Sequence, residues 1–106
     1  MTDEVLHKTA LARIRNIHRL SREYNRLVGT PHDQRLFDML NHHVEEIRAL
    51  HRHKDPHYLT ETGDLLILCC EILLESGESL DAVLQKCLER FEHKLTGLIR
   101  EAQQEK

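Results

Sequence analysis

Two short pairs of side chains carry the chemistry that this sequence could perform. The first pair, His43 and Glu46, has a spacing of three residues. The second pair, Glu61 and Asp64, repeats that spacing further along the chain. Residues three apart lie on one face of an α-helix, so the members of each pair project in the same direction. If the two helices pack together, the four side chains converge and can hold a divalent cation against a polyphosphate.

The helical phase around the first pair separates two adjacent glutamates. At about 100° per residue, the apolar stripe of this segment centres near Leu40 and Ile47. His43 falls inside that stripe and Glu46 falls on its edge, whereas Glu45 points away into solvent. Glu46 is therefore the glutamate placed for a site. The alternative for the acids of the second pair is that they favour the positive end of a helix dipole and bind nothing.

The composition is that of one small helical domain spanning residues 1–106. The chain has only four Gly, two Pro and four aromatic residues, and it is 40% hydrophobic and 31% charged. These proportions indicate a globular, helix-rich protein rather than a disordered one. The formal net charge of -3 argues against nucleic acid as a partner.

Cysteine use and hydropathy predict a soluble, cytoplasmic protein without a membrane partner. Cys69, Cys70 and Cys87 form no disulfide framework, and all three stand in apolar runs, so we expect buried thiols in a reducing compartment. The most apolar run, residues 65–74, is shorter than the ~20 residues that a membrane-spanning helix requires.

The hydrophobic periodicity predicts an all-α fold of four helices. The first runs from about Asp3 to Val28 and ends at Gly29, which is suited to a left-handed cap. The second begins at 30–33, where Thr30 can cap and Pro31 can start the first turn, and it ends near residue 53. The third covers roughly 56–75, with Asp55 as its cap. The fourth is capped by Ser79 and frays in the polar tail 101–106.

The loops between these helices are short, which predicts an antiparallel four-helix bundle. The third helix is apolar nearly all round from residue 65 to 74, so it should be the central one. Three partner helices of this size do not easily cover such a helix. We therefore expect a second copy of the chain to complete the bundle, as a homodimer or homotetramer.

The second acidic pair lies within a recognisable motif. Residues 61–66 read Glu-Thr-Gly-Asp-Leu-Leu, and Glu46 precedes them at a typical distance. In these features the chain resembles the all-α nucleoside triphosphate pyrophosphohydrolases of the MazG type, which carry Glu-Glu-x-x-Glu on one helix and Glu-x-x-Asp on the next. Lys86 and the pair Arg90-Phe91 echo the last helix of that family. The resemblance extends over roughly residues 36–95.

The resemblance implies a MazG-like domain that acts as a nucleoside triphosphate pyrophosphohydrolase. Family members hold Mg²⁺ through the acids of both motifs and release a nucleoside monophosphate and pyrophosphate. In this chain Glu46, Glu61 and Asp64 would be catalytic and metal-binding, with His43 as a further ligand. Basic side chains would bind the phosphates of the substrate, and the candidates are Lys54, Lys86, Arg90 and Lys94.

The chain departs from the family in its first motif. His42 and His43 stand where two glutamates are expected. An imidazole in place of a carboxylate removes a negative charge and favours Mn²⁺ or another transition ion over Mg²⁺. The same replacement is compatible with lost catalysis, and the alternative function is a helical dimerisation or interaction module that retains part of the metal site.

Three further features leave alternatives open. His51, His53 and His57 flank a helix break and could ligate zinc, although no established zinc spacing is present. Aromatic side chains are expected in the core, with stacking on a nucleotide base as the alternative; they are Tyr24, Phe37 and Tyr58. Five arginines of the first helix form a solvated face that could guide an anionic nucleotide; they are Arg13, Arg15, Arg19, Arg22 and Arg26.

Overall fold

The computed structural model describes residues 7–105 and contains four helices. They are α1 (Lys8–Val28), α2 (His32–Arg52), α3 (Tyr58–Glu75) and α4 (Leu80–Gln104). Within 7–105 no residue belongs to a β-strand, so the all-α prediction is confirmed. The predicted start of the first helix at Asp3 lies outside the described residues.

Glycine and serine end and begin the helices as the sequence predicts. Gly29 adopts the left-handed conformation with φ of 73°, and the following N–H of Thr30 returns to the carbonyl of Asn25 at 3.0 Å. This closes α1 in the pattern that favours glycine. At the other end of the chain, Ser79 Oγ accepts from the N–H of Ala82 at 3.3 Å and caps α4.

The starts of α2 and α3 differ from the predicted caps. Pro31, not Thr30, is the N-cap of α2, and no side chain caps this helix. Asp55 does not cap α3; its Oδ1 accepts from the N–H of His57 at 2.9 Å and forms a local turn. Because residues 55–57 form this turn, α3 begins only at Tyr58.

The fourth helix is longer than predicted. Its helical hydrogen bonding continues to Gln104, whereas the polar tail from residue 101 was expected to fray. None of the helices in the described range is long and apolar enough to cross a membrane.

Helix α3 is the centre of the fold and packs against each of the other three. Its largest interface is with α2, and among the four described helices α4 contacts only α3. Few apolar side chains within residues 7–105 are buried, and those are Leu36, Leu68, Cys70 and Leu80. The radius of gyration is 17.2 Å, against about 13 Å for a compact domain of 100 residues. The single chain is therefore elongated around a small core.

Large apolar surfaces stay uncovered on the outer helices. On α4, Leu88, Phe91, Leu95 and Leu98 follow one another at spacings of three and four residues, and all are about half exposed. On α3, Cys69 is exposed, which corrects the expectation that all three thiols are buried. Leu66, one turn earlier on the same face, is exposed too.

Candidate metal centre between α2 and α3

Three of the predicted ligands meet between α2 and α3. His43 Nε2 lies 3.4 Å from Glu61 Oε2 and 3.9 Å from Asp64 Oδ2. The three ligand atoms lie within 4.8 Å of one another. The meeting follows from local geometry, because Glu61 and Asp64 share one face of α3 and that face packs on the side of α2 that carries His43. His43 is only 15% exposed, as its place inside the apolar stripe predicts.

A backbone contact determines which ring nitrogen of His43 carries the proton and which one presents its lone pair to the carboxylates. The Nδ1 atom lies 2.8 Å from the carbonyl oxygen of Met39, one turn earlier. Because a carbonyl can only accept, we assign the ring proton to Nδ1. The neutral ring then presents the lone pair of Nε2 to Glu61 and Asp64. Histidines that bind metals are held in this way by a second partner on the far side of the ring.

Glu61 supplies a buried oxygen that has no hydrogen-bond partner. Its side chain is 14% exposed, and Oε2 makes no hydrogen bond although it faces His43. The other oxygen, Oε1, lies 3.5 Å from His57 Nε2. A buried carboxylate oxygen without a partner costs free energy that a cation would offset. Asp64, by contrast, is 50% exposed, which leaves one side of the group open to solvent.

The donor set fits a small divalent ion. Two donors on adjacent positions of an octahedral ion are about 3 Å apart, and opposite donors are about 4 Å apart. The separations of 3.4 and 3.9 Å around His43 Nε2 therefore need only small side-chain movements to surround one ion. One nitrogen and two carboxylates suit Mn²⁺ and other transition ions better than Mg²⁺, which prefers oxygen alone.

Glu46, the fourth predicted ligand, is not part of this group. Its Oε1 lies 3.5 Å from His42 Nε2, one turn earlier on the same helix, and its side chain is 45% exposed. Glu46 is on the edge of the α2 stripe, where an intrahelical partner is as near as the facing helix. The structure therefore brings together His43, Glu61 and Asp64, and leaves Glu46 beside them on α2.

The four predicted phosphate-binding cations do not gather at this group. Lys54 lies in the turn between α2 and α3 with φ of 58°, where it lines a cavity beside Tyr58. Lys86 and Arg90 line a different cavity of about 260 Å³ on α4. Lys94 is exposed on α4.

Arg35 shares a cavity with one member of the group, His43, and it was not predicted from the sequence. It lines a cavity of about 300 Å³ together with His42 and His43. The sequence contained a signal for it, because Arg35 precedes His42 by seven residues and His43 by eight, and residues at these spacings share a helix face. Its guanidinium carbon also lies 4.9 Å from the centre of the Tyr24 ring.

The aromatic side chains are not core residues, in contrast to the prediction. Tyr24 and Phe37 are 51% and 52% exposed. Tyr58 is partly buried, with its ring edge-on to His51 at a centroid distance of 5.0 Å. Tyr24 and Phe37 therefore lie outside the small core that contains Leu36 and Leu68.

A second cavity links the group to the interior. It has a volume of about 280 Å³, and its lining includes His43, Asp64, Met39 and Glu71. Glu71 is 3% exposed. Burial raises the pKa of the Glu71 carboxyl above its ordinary value, and a hydrogen bond with Ser21 opposes that rise only in part. A buried acid therefore lies behind the candidate centre.

The comparisons with known proteins give no relative for this chain. No protein-family model, no curated protein and no solved structure matches it. The MazG resemblance stays a prediction from the motifs.

Proposed function

We propose that this protein is a divalent-metal-dependent nucleoside triphosphate pyrophosphohydrolase. The observation that carries the proposal is the convergence of His43, Glu61 and Asp64 from two helices, with a buried glutamate oxygen that lacks a hydrogen-bond partner. The residue types, their helical spacing and the packing of α2 on α3 all support the same three-residue group. The products would be a nucleoside monophosphate and pyrophosphate.

In the proposed mechanism the three side chains hold Mn²⁺ or Mg²⁺, and Glu46 is a further ligand predicted from the motif. When bound, the ion would neutralise phosphate oxygens and lower the pKa of a coordinated water. Glu61 anchors the site in the interior, and the Nδ1 contact of His43 holds its ring in place. The open side at Asp64 leaves space for the triphosphate. Water would then attack phosphorus and break the anhydride bond between the α- and β-phosphates.

Substrate binding would use positive charge beside the centre. Arg35 lines the cavity that His42 and His43 also line, so it is a candidate for binding a phosphate tail. Tyr24, half exposed beneath the Arg35 guanidinium, would offer a face for a base. Of the four cations predicted from the sequence, Lys54 lies in the turn that leads into α3. Lys86, Arg90 and Lys94 lie on α4 and would act only across an interface between two chains.

We further propose that the protein is a homodimer or homotetramer. The support is the apolar stripe of α4, in which Leu88, Phe91, Leu95 and Leu98 alternate at the three- and four-residue spacing of a helix–helix seam. A chain with so small a core gains most from burying that stripe against a second copy.

The second candidate function is a helical interaction module without catalysis. The same α4 stripe favours it, as does the placement of Glu46 outside the three-residue group. In this account the stripe binds a partner helix, and the metal ligands are remnants. The two functions differ in whether hydrolysis depends on Asp64.

Nucleotide hydrolysis by matched variants tests the proposal. Release of pyrophosphate from common ribo- and deoxyribonucleoside triphosphates is measured with Mn²⁺ and with Mg²⁺. We expect Asp64→Asn to lower the rate more than about 100-fold, and Glu45→Gln, an exposed acid on α2, to leave it unchanged. Equal rates for wild type and Asp64→Asn would contradict the mechanism. A wild type that hydrolyses none of these nucleotides would favour the interaction module.

A further inference from the structure

A second group of ligand atoms joins three helices at the other end of α3. His18 comes from α1, His32 is the first residue of α2, and Glu75 is the last residue of α3. Glu75 Oε1 lies 3.2 Å from His18 Nε2 and 2.6 Å from His32 Nε2. All three side chains are at most 21% exposed. Two imidazole nitrogens thus converge on one carboxylate oxygen.

Four of the five unsatisfied buried polar atoms of residues 7–105 lie in this group or on its neighbours Asn25 and Glu71. His18 Nε2 and His32 Nε2 make no well-aligned hydrogen bond, although both lie within ion-pair distance of Glu75. Asn25 and Glu71, which are 1% and 3% exposed, each add one unpartnered oxygen. Native proteins leave few such atoms, and an absent ion is one explanation for a cluster of them.

A neighbouring amide contacts the far side of the His32 ring. Asn25 Nδ2 lies 2.8 Å from His32 Nδ1 and donates to it, which leaves the ring proton on Nε2 in the metal-free protein. A metal on Nε2 requires the proton on Nδ1, which then needs an acceptor. Metal binding would therefore turn the amide so that Oδ1 of Asn25 accepts from Nδ1.

Arg22 pairs with Glu75 and would compete with a metal ion for this carboxylate. Arg22 Nη1 donates to Oε1 at 2.6 Å and also contacts Oε2. Arg22 is 55% exposed, so it can withdraw to Oε2 when a cation takes Oε1.

We propose that His18, His32 and Glu75 form a second metal site, which binds Zn²⁺ and clasps α1, α2 and α3 together. Two imidazoles and one carboxylate are a zinc donor set, and the fourth position is left for water. The site is distinct from the first, since Glu75 is about 16 Å along α3 from Asp64. A structural metal is a common device in chains whose core is small.

Zinc titration of chelator-treated protein, followed by calorimetry and thermal melting, tests this site without any activity readout. In the His43→Gln/Asp64→Asn variant, which lacks the first site, we expect one zinc to bind and the melting temperature to rise. In the His18→Gln/His32→Gln variant we expect the affinity for the zinc ion at this second site to fall by about 100-fold or more. Equal zinc binding by that variant and wild type would overturn the proposal, as would a wild type that binds no zinc.

Two further measurements keep the proposal testable if the double variant does not fold. Imidazole nitrogen NMR of wild type should show zinc-induced shifts at Nε2 of His18 and His32, and shifts confined to other histidines would overturn it. Arg22→Gln removes a competing cation and should tighten zinc about two- to fivefold. The result is independent of nucleotide hydrolysis, so either proposal can fail while the other stands.

Discussion

Glu61→Gln should have opposite effects on stability in the absence and presence of metal. Without metal, Glu61 Oε2 is a buried oxygen with no hydrogen-bond partner, facing the lone pair of His43 Nε2. The amide introduced by the substitution can donate to that lone pair. One such hydrogen bond contributes about 0.5 to 1.5 kcal/mol. We therefore expect the metal-free variant to be at least as stable as wild type at pH 8.

With metal, the same substitution should cost the protein a bound ion. A ligand at 100 times its Kd stabilises the folded state by about 2.7 kcal/mol, which corresponds to about 10 to 20 °C in the melting temperature of a domain of this size. Wild type should gain a shift of that order from Mn²⁺, and Glu61→Gln should lose most of it. Glu45→Gln, on the exposed side of α2, is the matched control and should keep the full shift.

The assay is thermal melting at pH 8 in EDTA and in increasing Mn²⁺. The reasoning is refuted if Glu61→Gln retains the wild-type shift, because Glu61 would then not be a ligand. It is also refuted if the metal-free variant loses 2 kcal/mol or more, because Glu61 would then have a stabilising partner that the geometry does not reveal.

Three other predictions follow from burial and exposure. In EDTA, Glu71→Gln should stabilise the protein near pH 7 and have no effect near pH 4, because burial raises the folded-state pKa of Glu71 above 4.5 and wild-type stability falls as pH rises through that pKa. Melting curves across pH test this, and a loss of stability at pH 7 contradicts it. Cys69 should react with iodoacetamide in the native state much faster than Cys70, whose thiol is buried with a raised pKa, and peptide mass spectrometry measures both. Phe91→Glu should dissociate the proposed oligomer in sedimentation experiments, and an unchanged mass would contradict the α4 interface.

The helices could be predicted from the sequence because their signals are local. Gly29 and Ser79 mark helix ends through backbone conformations and capping bonds that depend on a few neighbouring residues. Thr30 was predicted to cap α2, but the N-cap position is occupied by Pro31. The pair Thr30-Pro31 has the residue types preferred at an N-cap and in a first turn, so the shift by one residue could not be predicted from residue types.

The candidate metal group between α2 and α3 could be predicted from the sequence, whereas the group around Glu75 could not. Glu61 and Asp64 are related by helical spacing, and α2 and α3 are consecutive helices joined by a short turn, so their contact with His43 follows from short-range rules. His18 and Glu75 are brought together only by the packing of α1 on α3. The exposure of Cys69 likewise depends on how the helices pack and not on its local sequence.

The most direct measurement of the central claim is the anomalous difference density of Mn²⁺ in crystals grown with saturating metal. We predict a peak between α2 and α3, about 2.1 Å from His43 Nε2 and from one oxygen each of Glu61 and Asp64. Crystals that contain Mn²⁺ at saturating concentration and show no peak at these three side chains would contradict the account.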